Sequence, residues 1–370
     1  VLDLNQSASI EVEAEDGSKI EYRLMQSNQR SQINSLFESF IDRYDIAGLS
    51  FAMSIDERLV FANGFGLANR EQQRVTDINT QFRIASVSKS ITSIAIMTLV
   101  EEGKLKLDDK VFGSGAILDQ DYGPYRLHYR DITVRHLLSH TSGMTTNQNN
   151  DPAFNAAIGQ NTAAVIHEVA KNNDLHFPPG TDYIYSNVGY MVLSQIIEKL
   201  SGLPYEQYLS SIFSPLGIRN FEITSDSKNQ LKQNEAASYD EIFDPYGISL
   251  ARIKGAGALI ASSVDLVKLL THVDGHEHRK DLLSSESVSE MTRHNAQTLY
   301  SLGWNSTGDA WWHIGNVQGT RAEWVRTGAK ISYAVIINTT NASDYAQDFH
   351  DLSAQVQAIV NNEWPTYDLF

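Results

Sequence analysis

The sequence predicts an α/β (α+β) fold in which the two ends of the chain build one α/β domain and the middle supplies a helical insertion. Three observations carry this prediction. Strand-like runs gather before about residue 66 and return only after about residue 320, residues 111–250 read as helical and loop-rich, and helices near both ends carry a single apolar face. The expected boundaries are 1–110 with 251–370 for the α/β domain, residues 1–27 adding an extra β-hairpin, and 111–250 for the mainly helical insertion.

At the start, Ile10, Val12 and Ala14 alternate with acids up to Asp16-Gly17, and Ile20, Tyr22 and Leu24 alternate beyond it. That is a hairpin pattern closed by a tight turn, read here as an added sheet edge. Ile33, Leu36, Phe37, Phe40 and Ile41 then fit one face of a helix, and Leu49–Ile55 and Leu59–Phe65 follow as strands. After Arg83-Ile84-Ala85 an apolar helix runs through Ile91, Ile94, Ala95, Thr98 and Leu99 to Gly103, a residue suited to the left-handed turn that ends helices. In the insertion, Val134, Leu137 and Leu138, and later Val188 to Leu200, recur at helix spacing. Glu323–Arg326, the turn Thr327-Gly328-Ala329-Lys330 and Ile331–Asn338 form a second hairpin, and Leu352, Val356, Ile359 and Val360 mark a last helix.

Composition narrows the function. With 42% hydrophobic and 20% charged residues among 370, the chain has material for a sizeable core. Forty-five acidic against 29 basic side chains leave a formal charge of −16, which repels nucleic acid and anionic membranes. No run approaches the roughly 20 apolar residues of a membrane-spanning helix. Zero cysteines exclude disulfides, thiolate catalysis and Cys-ligated metals. An exported protein, periplasmic or extracellular, is the expectation, although no signal peptide is in view.

The chemistry is concentrated in Ser86-Val87-Ser88-Lys89 at the head of the apolar helix. Positions three apart on a helix are neighbours, so the Lys89 amine reaches the Ser86 hydroxyl, which also sits beside unpaired backbone N–H groups in the first turn. Such a lysine activates a serine only if burial or a second cation lowers its pKa from the ordinary ~10.4. A second copy of the pattern, Ser225-Asp226-Ser227-Lys228, has no apolar helix behind it and reads as a solvated loop. Tyr185-Ser186-Asn187, between the turn Pro178-Pro179-Gly180 and a helix, offers a proton shuttle. A tyrosine beside a lysine cation would drop toward working pH as a phenolate, while a plain turn before a helix explains the same residues. His313-Ile314-Gly315-Asn316 precedes a strand, and Gly315 would let a substrate approach the backbone. Arg326-Thr327-Gly328 competes for that role but fits a hairpin turn better.

In order and rough spacing, Ser86-x-x-Lys89, Tyr185-x-Asn187 and His313-x-Gly315 resemble the class C β-lactamase-like and penicillin-binding serine hydrolases. The stretch Ile132–Gly143, the run Gly255-Ala256-Gly257-Ala258-Leu259 leading to Asp265-Leu266, and Leu302-Gly303-Trp304 also look like that family, over roughly residues 30–360. The resemblance implies a β-lactamase/transpeptidase-like fold, an antiparallel sheet flanked by helices with an all-helical insertion and the active site in the groove between. It implies that Ser86 attacks a carbonyl, that Lys89 and Tyr185 handle the proton, and that Asn187 holds Lys89 or the substrate amide. It also implies an oxyanion hole from the backbone N–H groups of Ser86 and Asn316, and an acyl-enzyme released by water. No cofactor or metal is expected; the partner is a small-molecule or peptide substrate.

One departure matters. β-Lactamases carry Lys-Thr-Gly where this chain has His313-Ile314-Gly315. Ile314 offers no donor and His313 titrates near ~6.5, so a substrate carboxylate is held less well unless Arg321 compensates. A histidine here is similar to D-alanyl-D-alanine carboxypeptidases, D-aminopeptidases and some esterases. The expectation is therefore a peptidase, amidase or esterase, with a β-lactamase proper or a sensor that acylates without turnover as the alternatives. A scaffold without chemistry sits badly with the presence of all the motif residues. Trp311 and Trp312 form either an apolar substrate wall or one core and one outward side chain. His136 and His140, four apart, lack the glutamate of a metalloprotease helix and read as structural near the cleft, and His276-Glu277-His278 reads as a solvated loop.

Overall fold

The computed structural model describes residues 9–13, 18–119, 121–144, 151–155, 160–219, 221–276, 278–341 and 344–370. The expected tight turn at Asp16-Gly17 lies outside them. Strands β1 (Ser9–Glu13) and β2 (Lys19–Arg23) do pair antiparallel, but as a separate two-stranded sheet, not as an edge of the main one. Arg23 instead exchanges hydrogen bonds with Thr366 near the C-terminus, its N–H donating to the hydroxyl at 2.8 Å and its carbonyl accepting from the Thr366 N–H at 3.1 Å.

The main sheet is antiparallel and seven-stranded. It contains β3 (Gly48–Ile55), β4 (Arg58–Asn69), β5 (Arg74–Val75), β10 (Asn305–Thr307), β11 (Ala310–Val317), β12 (Thr320–Arg326) and β13 (Ile331–Ile337), in the order β10-β11-β12-β13-β3-β4-β5. The pairing of β13 with β3, Ile331 against Ile55 through Ile337 against Leu49, joins the two ends of the chain in the centre of the sheet.

Helices cover both faces. On one, α1 (Ser27–Tyr44) and α10 (Ala346–Val360) bury Ile33, Phe37, Phe349, Leu352 and Val356 against Leu49, Phe51, Met53, Val335 and Ile337. Successive strand residues point to opposite faces, so the residues between them, Ser50, Ala52 and Ser54, look the other way. There α8 (Ser263–Leu270) rests on them, with Ser50 and Ser263 hydroxyls 2.7 Å apart. Large residues on one face and small ones on the other let a strand buried on both sides fit between layers.

Beyond α8 lies the apolar helix of the sequence, α2 (Ser88–Glu101), buried along almost its whole length and ended by Gly103 at φ +69°. It packs on α6 (Asn187–Ser201), which also contacts α3 (Val134–Leu138), α5 (Thr162–Asn172) and α7 (Tyr205–Phe213). The shorter α4 (Pro152–Asn155) packs on α5 and α6, and α9 (Ser285–Thr292) on α2. Short strands complete the frame: β6 (Phe82–Arg83) and β7 (Glu222–Ile223) flank β9 (Leu259–Ala261), and β8 (Tyr239–Asp240) runs parallel to β14 (Thr339–Thr340). Among the described residues no helix is long and apolar enough to cross a membrane.

Candidate active site

The serine stands on a strained corner. β6 leads through Ile84 into Ala85, which adopts φ +45°, and then a single 3₁₀ turn, Ala85–Val87, before α2 begins at Ser88. Ser86 is therefore on that turn and not in the first α-helical turn that the spacing suggests. A left-handed alanine costs on the order of 1 kcal/mol and persists only where the surroundings hold it. From Thr80 to Leu99 every residue is buried except Ser86.

Lys89 is completely buried. Its Nζ lies 3.1 Å from the Ser86 Oγ, 2.7 Å from the Asn187 Oδ1 and 2.6 Å from the Ala256 carbonyl oxygen. Burial lowers its pKa to about 7, partly opposed by the negative charge of Asp151. As a neutral amine it keeps two N–H donors for Asn187 and Ala256 and turns its lone pair to the Ser86 hydroxyl. The second cation that the sequence allowed as a cause is not needed.

Asn187 is held in turn. Ser186 caps α6, its hydroxyl accepting from the Gly189 N–H at 3.0 Å. The Asn187 amide then donates to the Asp151 carboxylate at 2.7 Å while its oxygen faces Lys89. Asp151 also accepts from the Ala153 N–H at 2.9 Å, and burial raises its pKa. Asp151 was not legible as a site residue: Asp followed by Pro152 is a helix-start signal and reads as a cap.

Tyr185 hydrogen-bonds Ser86, and its ring centre is 4.7 Å from the Lys89 Nζ. The expected phenolate is not supported. Burial pushes the Tyr185 pKa up, so a neutral phenol faces the serine. The ring packs on His140, centroids 4.2 Å apart. α3 ends at Leu138, and His140 sits beyond it at φ +58°, so His136 and His140 do not share a helix face. The His140 Nδ1 accepts from the Ser186 N–H at 3.1 Å and thereby ties the Tyr-Ser-Asn segment to the end of α3.

β11 closes the other side. A Cβ on Gly315 would meet the Ile84 carbonyl oxygen at 2.1 Å, so only glycine lets this strand lie beside the serine turn. His313 is buried, with Nδ1 donating to the Ile314 carbonyl at 2.8 Å and Nε2 accepting from the Tyr300 hydroxyl at 3.1 Å. Burial and the nearby Lys89 lower its pKa to about 3, so it stays neutral and does not titrate near 6.5. β10 pairs with β11 only as far as Trp312, and the strand edge at Gly315 and Asn316 has no β10 partner. Tyr300, two residues before the Leu302-Gly303-Trp304 signature, also escaped the sequence.

Other candidates fall away from the cluster. The Arg321 guanidinium lies over the Phe349 ring of α10 at 5.4 Å and does not compensate for a missing lysine. Trp311 is buried under Arg326, and Trp312 is half-buried on the opposite face. Thr327–Lys330 is the turn between β12 and β13. Lys228, in the second Ser-x-x-Lys copy, opens a single 3₁₀ turn, Lys228–Gln230, rather than lying in a plain loop, and pairs with Glu71 at 2.6 Å. His278 contacts Asp56 at 3.1 Å, and Glu277 lies outside the described residues. Among the described residues no group of three or more His, Asp or Glu is arranged to hold a metal ion.

An antiparallel sheet covered by helices, with a serine turn docked beside one strand and the head of a buried helix, is the architecture of the β-lactamase and penicillin-binding-protein superfamily of serine hydrolases. Residues 33–357 match the family model described as Beta-lactamase, and the chain belongs to that family. Penicillin-binding protein 4* of Bacillus subtilis (strain 168) is 27% identical over 312 residues, 76% of this chain and 64% of that protein. The chain thus spans just under two thirds of that relative. An octameric penicillin-binding protein homologue from Pyrococcus abyssi superposes with a TM-score of 0.71 at 26% identity, covering 89% of this chain and 77% of that one. The D-amino acid amidase from Ochrobactrum anthropi SV3, complexed with L-phenylalanine, shares the fold with a TM-score of 0.74 at 21% identity, over 91% and 99% of the two chains.

Proposed function

We propose that this protein hydrolyses a small amide, peptide or ester through an acyl-Ser86 intermediate, with substrates containing D-amino acids as the first class to try. The observation that carries the reading is Lys89: a fully buried amine, held near pKa 7, 3.1 Å from a serine that alone in its segment reaches the surface. Neutral Lys89 takes the Ser86 proton as Oγ attacks the carbonyl carbon, and the backbone N–H groups of Ser86 and Asn316 receive the oxyanion. Tyr185, a phenol bonded to Ser86, passes a proton to the leaving nitrogen or oxygen and is reprotonated from Lys89. Water then attacks the ester carbonyl while Lys89 accepts its proton, and the bond from the acyl carbon to Ser86 Oγ breaks as Lys89 returns that proton to Oγ, releasing the acid and restoring the free serine. The groove would lie between the 1–110 plus 251–370 part and the 111–250 part.

Support for a neutral substrate comes from the His313 box. His313 is uncharged, Ile314 has no donor and Arg321 is turned to α10, so a carboxylate such as that of a penicillin finds no fixed cation there. The relatives named for penicillin binding and D-amino acid amides make both classes worth testing. Intact-protein mass spectrometry after mixing with benzylpenicillin, D-phenylalaninamide or a p-nitrophenyl ester, with Ser86→Ala alongside, decides. A Ser86-dependent acyl adduct or sustained turnover is expected with the amide or ester. A long-lived penicilloyl adduct without turnover of any substrate would make the protein a sensor, and turnover by Ser86→Ala would end the proposal.

A further inference from the structure

His140, completely buried just past the end of α3, holds Tyr185 from three directions. Its carbonyl oxygen accepts from the Ile184 N–H at 2.9 Å and its Nδ1 from the Ser186 N–H at 3.1 Å, so it binds the residues on either side of Tyr185. Between those two bonds its ring packs on the Tyr185 ring, centroids 4.2 Å apart. Tyr185 in turn hydrogen-bonds Ser86. A phenol pinned at backbone and ring has little freedom to swing away from the serine, and proton transfer depends steeply on such placement.

The clamp is itself anchored on both sides. Before it, the Leu138 carbonyl accepts from the Tyr190 hydroxyl at 2.7 Å and from the Gly303 N–H at 3.2 Å. After it, the Thr141 carbonyl accepts from the Gly180 N–H and the Gly143 carbonyl from the His176 N–H, both at 2.8 Å. A Cβ on Gly143 would meet the Phe177 carbonyl oxygen at 2.3 Å, so residues 140–143 lie directly along the strand of chain that leads to Tyr185. Residue 140 sits at φ +58°, a conformation that histidine and asparagine adopt more readily than most side chains.

The tautomer follows from the partner. The Ser186 N–H needs an acceptor, so Nδ1 is unprotonated and the ring proton sits on Nε2, which has no hydrogen-bond partner among the described residues. Burial, with the charges of Lys89 and His313 adding to it, holds the His140 pKa well below the ordinary histidine value, so the acceptor is kept. The rings of Tyr190 and Tyr300, at 5.1 and 4.6 Å, enclose the imidazole. Its own hydrogen bonds go to the Tyr185 segment and not to Ser86 or Lys89, so whatever it does for the reaction passes through Tyr185. We infer that His140 is the positioning residue for leaving-group protonation, clamping the Tyr185 phenol where it can hand its proton to the departing atom. Its loss then matters in proportion to how much the leaving group needs a proton.

The inference rests on the acyl-Ser86 reading with Tyr185 as proton donor, and it is tested so that the two fail separately. p-Nitrophenyl acetate and ethyl acetate share the acyl group. p-Nitrophenolate leaves without a proton, whereas the ethoxy oxygen, as its bond to the acyl carbon breaks, takes the Tyr185 proton and departs as ethanol, and Lys89 reprotonates Tyr185. Tyr185→Phe should lower kcat/KM by at least about 10²-fold for ethyl acetate and by less than about tenfold for the aryl ester. His140→Phe keeps a ring beside Tyr185 but no acceptor, and should cost at least about tenfold on ethyl acetate and no more than about twofold on the aryl ester. His140→Asn, whose Oδ1 stands in for Nδ1, should bring ethyl acetate back to within about threefold of wild type. In the Tyr185→Phe background, His140→Phe should add almost nothing. Equal losses on both esters, no rescue by asparagine, or fully additive losses overturn the positioning role. If His140→Phe does not fold, His140→Gln, which carries its amide one carbon further out, replaces it with the same expectation. The acyl-Ser86 adduct is followed by mass alongside: an adduct without leaving-group discrimination refutes the clamp alone, and turnover without an adduct in Ser86→Ala refutes the acyl-serine reading. A histidine-selective 15N spectrum needs no turnover. An Nε2–H tautomer of His140 with unprotonated Nδ1 upholds the clamp, and an Nδ1–H tautomer refutes it.

Discussion

Two buried titratable groups of this molecule, Lys89 and Glu57, are both brought to about 7 by the same force, and only one of them has a serine hydroxyl beside it. Lys89, at the serine turn, has its ammonium form disfavoured by burial. Glu57, in the turn between β3 and β4 at φ +62°, has its carboxylate form disfavoured by burial, with Asp274 and Asp281 adding like charge. Burial always penalises the charged form, so it lowers an amine and raises an acid. The difference lies in the neighbours. Lys89 faces a serine hydroxyl at 3.1 Å and two oxygens that hold the neutral amine. Glu57 accepts from the Arg279 N–H at 2.6 Å and shares its surroundings with two more carboxyls, Asp281 itself raised to about 6. A displaced pKa marks an active site only where a nucleophile and a way to the surface accompany it.

That contrast can be broken most decisively at Ser86. Ser86→Ala should abolish turnover while leaving the melting temperature within a degree or two, since the side chain is half-exposed; steady-state rates and a thermal melt check both. Lys89→Met should lower kcat by at least about 10²-fold, the ordinary scale of lost proton-transfer catalysis. Undiminished rates in that variant would move the base elsewhere.

The pH profile is more discriminating. Below about 7 Lys89 is protonated and cannot accept the serine proton, so log kcat/KM should rise with a slope near 1 and level off above that value. Asp151→Asn removes an anion that favours the Lys89 cation, so its inflection should move to lower pH while the Asn187 hydrogen bond survives. A role for Asp151 confined to packing would leave the inflection in place.

The smallest effect belongs to Glu57. The native pKa of Glu57 is raised, so between its ordinary ~4.5 and about 7 the folded state binds more protons than the unfolded one. Its contribution is therefore full below that window and is lost as pH rises through about 7. Glu57→Gln should stabilise the protein by about 1 kcal/mol at pH 8, flatten that part of the stability profile, and leave kcat unchanged. Denaturant melts at pH 5 and pH 8 give the answer, and a change in kcat would show that the two groups are coupled.

Much of the fold was legible because its signals are local. Leu49–Ile55, the 323–338 hairpin and the helices behind Ser86 and Tyr185 each carry a period that burial of one face imposes on nearby residues. The hairpin near residue 10 shows the limit, since alternation predicts pairing between its own strands but not what they pair with next. Gly315 was flagged as a close approach, yet its neighbour proved to be the Ile84 carbonyl on the serine turn.

By itself, then, the sequence determined the class of fold and the ordered residues Ser86, Lys89, Tyr185, Asn187, His313 and Gly315, because helix spacing and motif order are properties of short stretches of chain. Only the tertiary structure decided the charge each of them carries. Lys89 is neutralised by walls that come from residues far along the chain, Tyr185 is kept a phenol and His313 an uncharged imidazole by the same crowding, and Asp151 enters through a hydrogen bond to a residue 36 positions away. Desolvation depends on everything within a few ångströms whatever its place in the chain, and no local pattern records it.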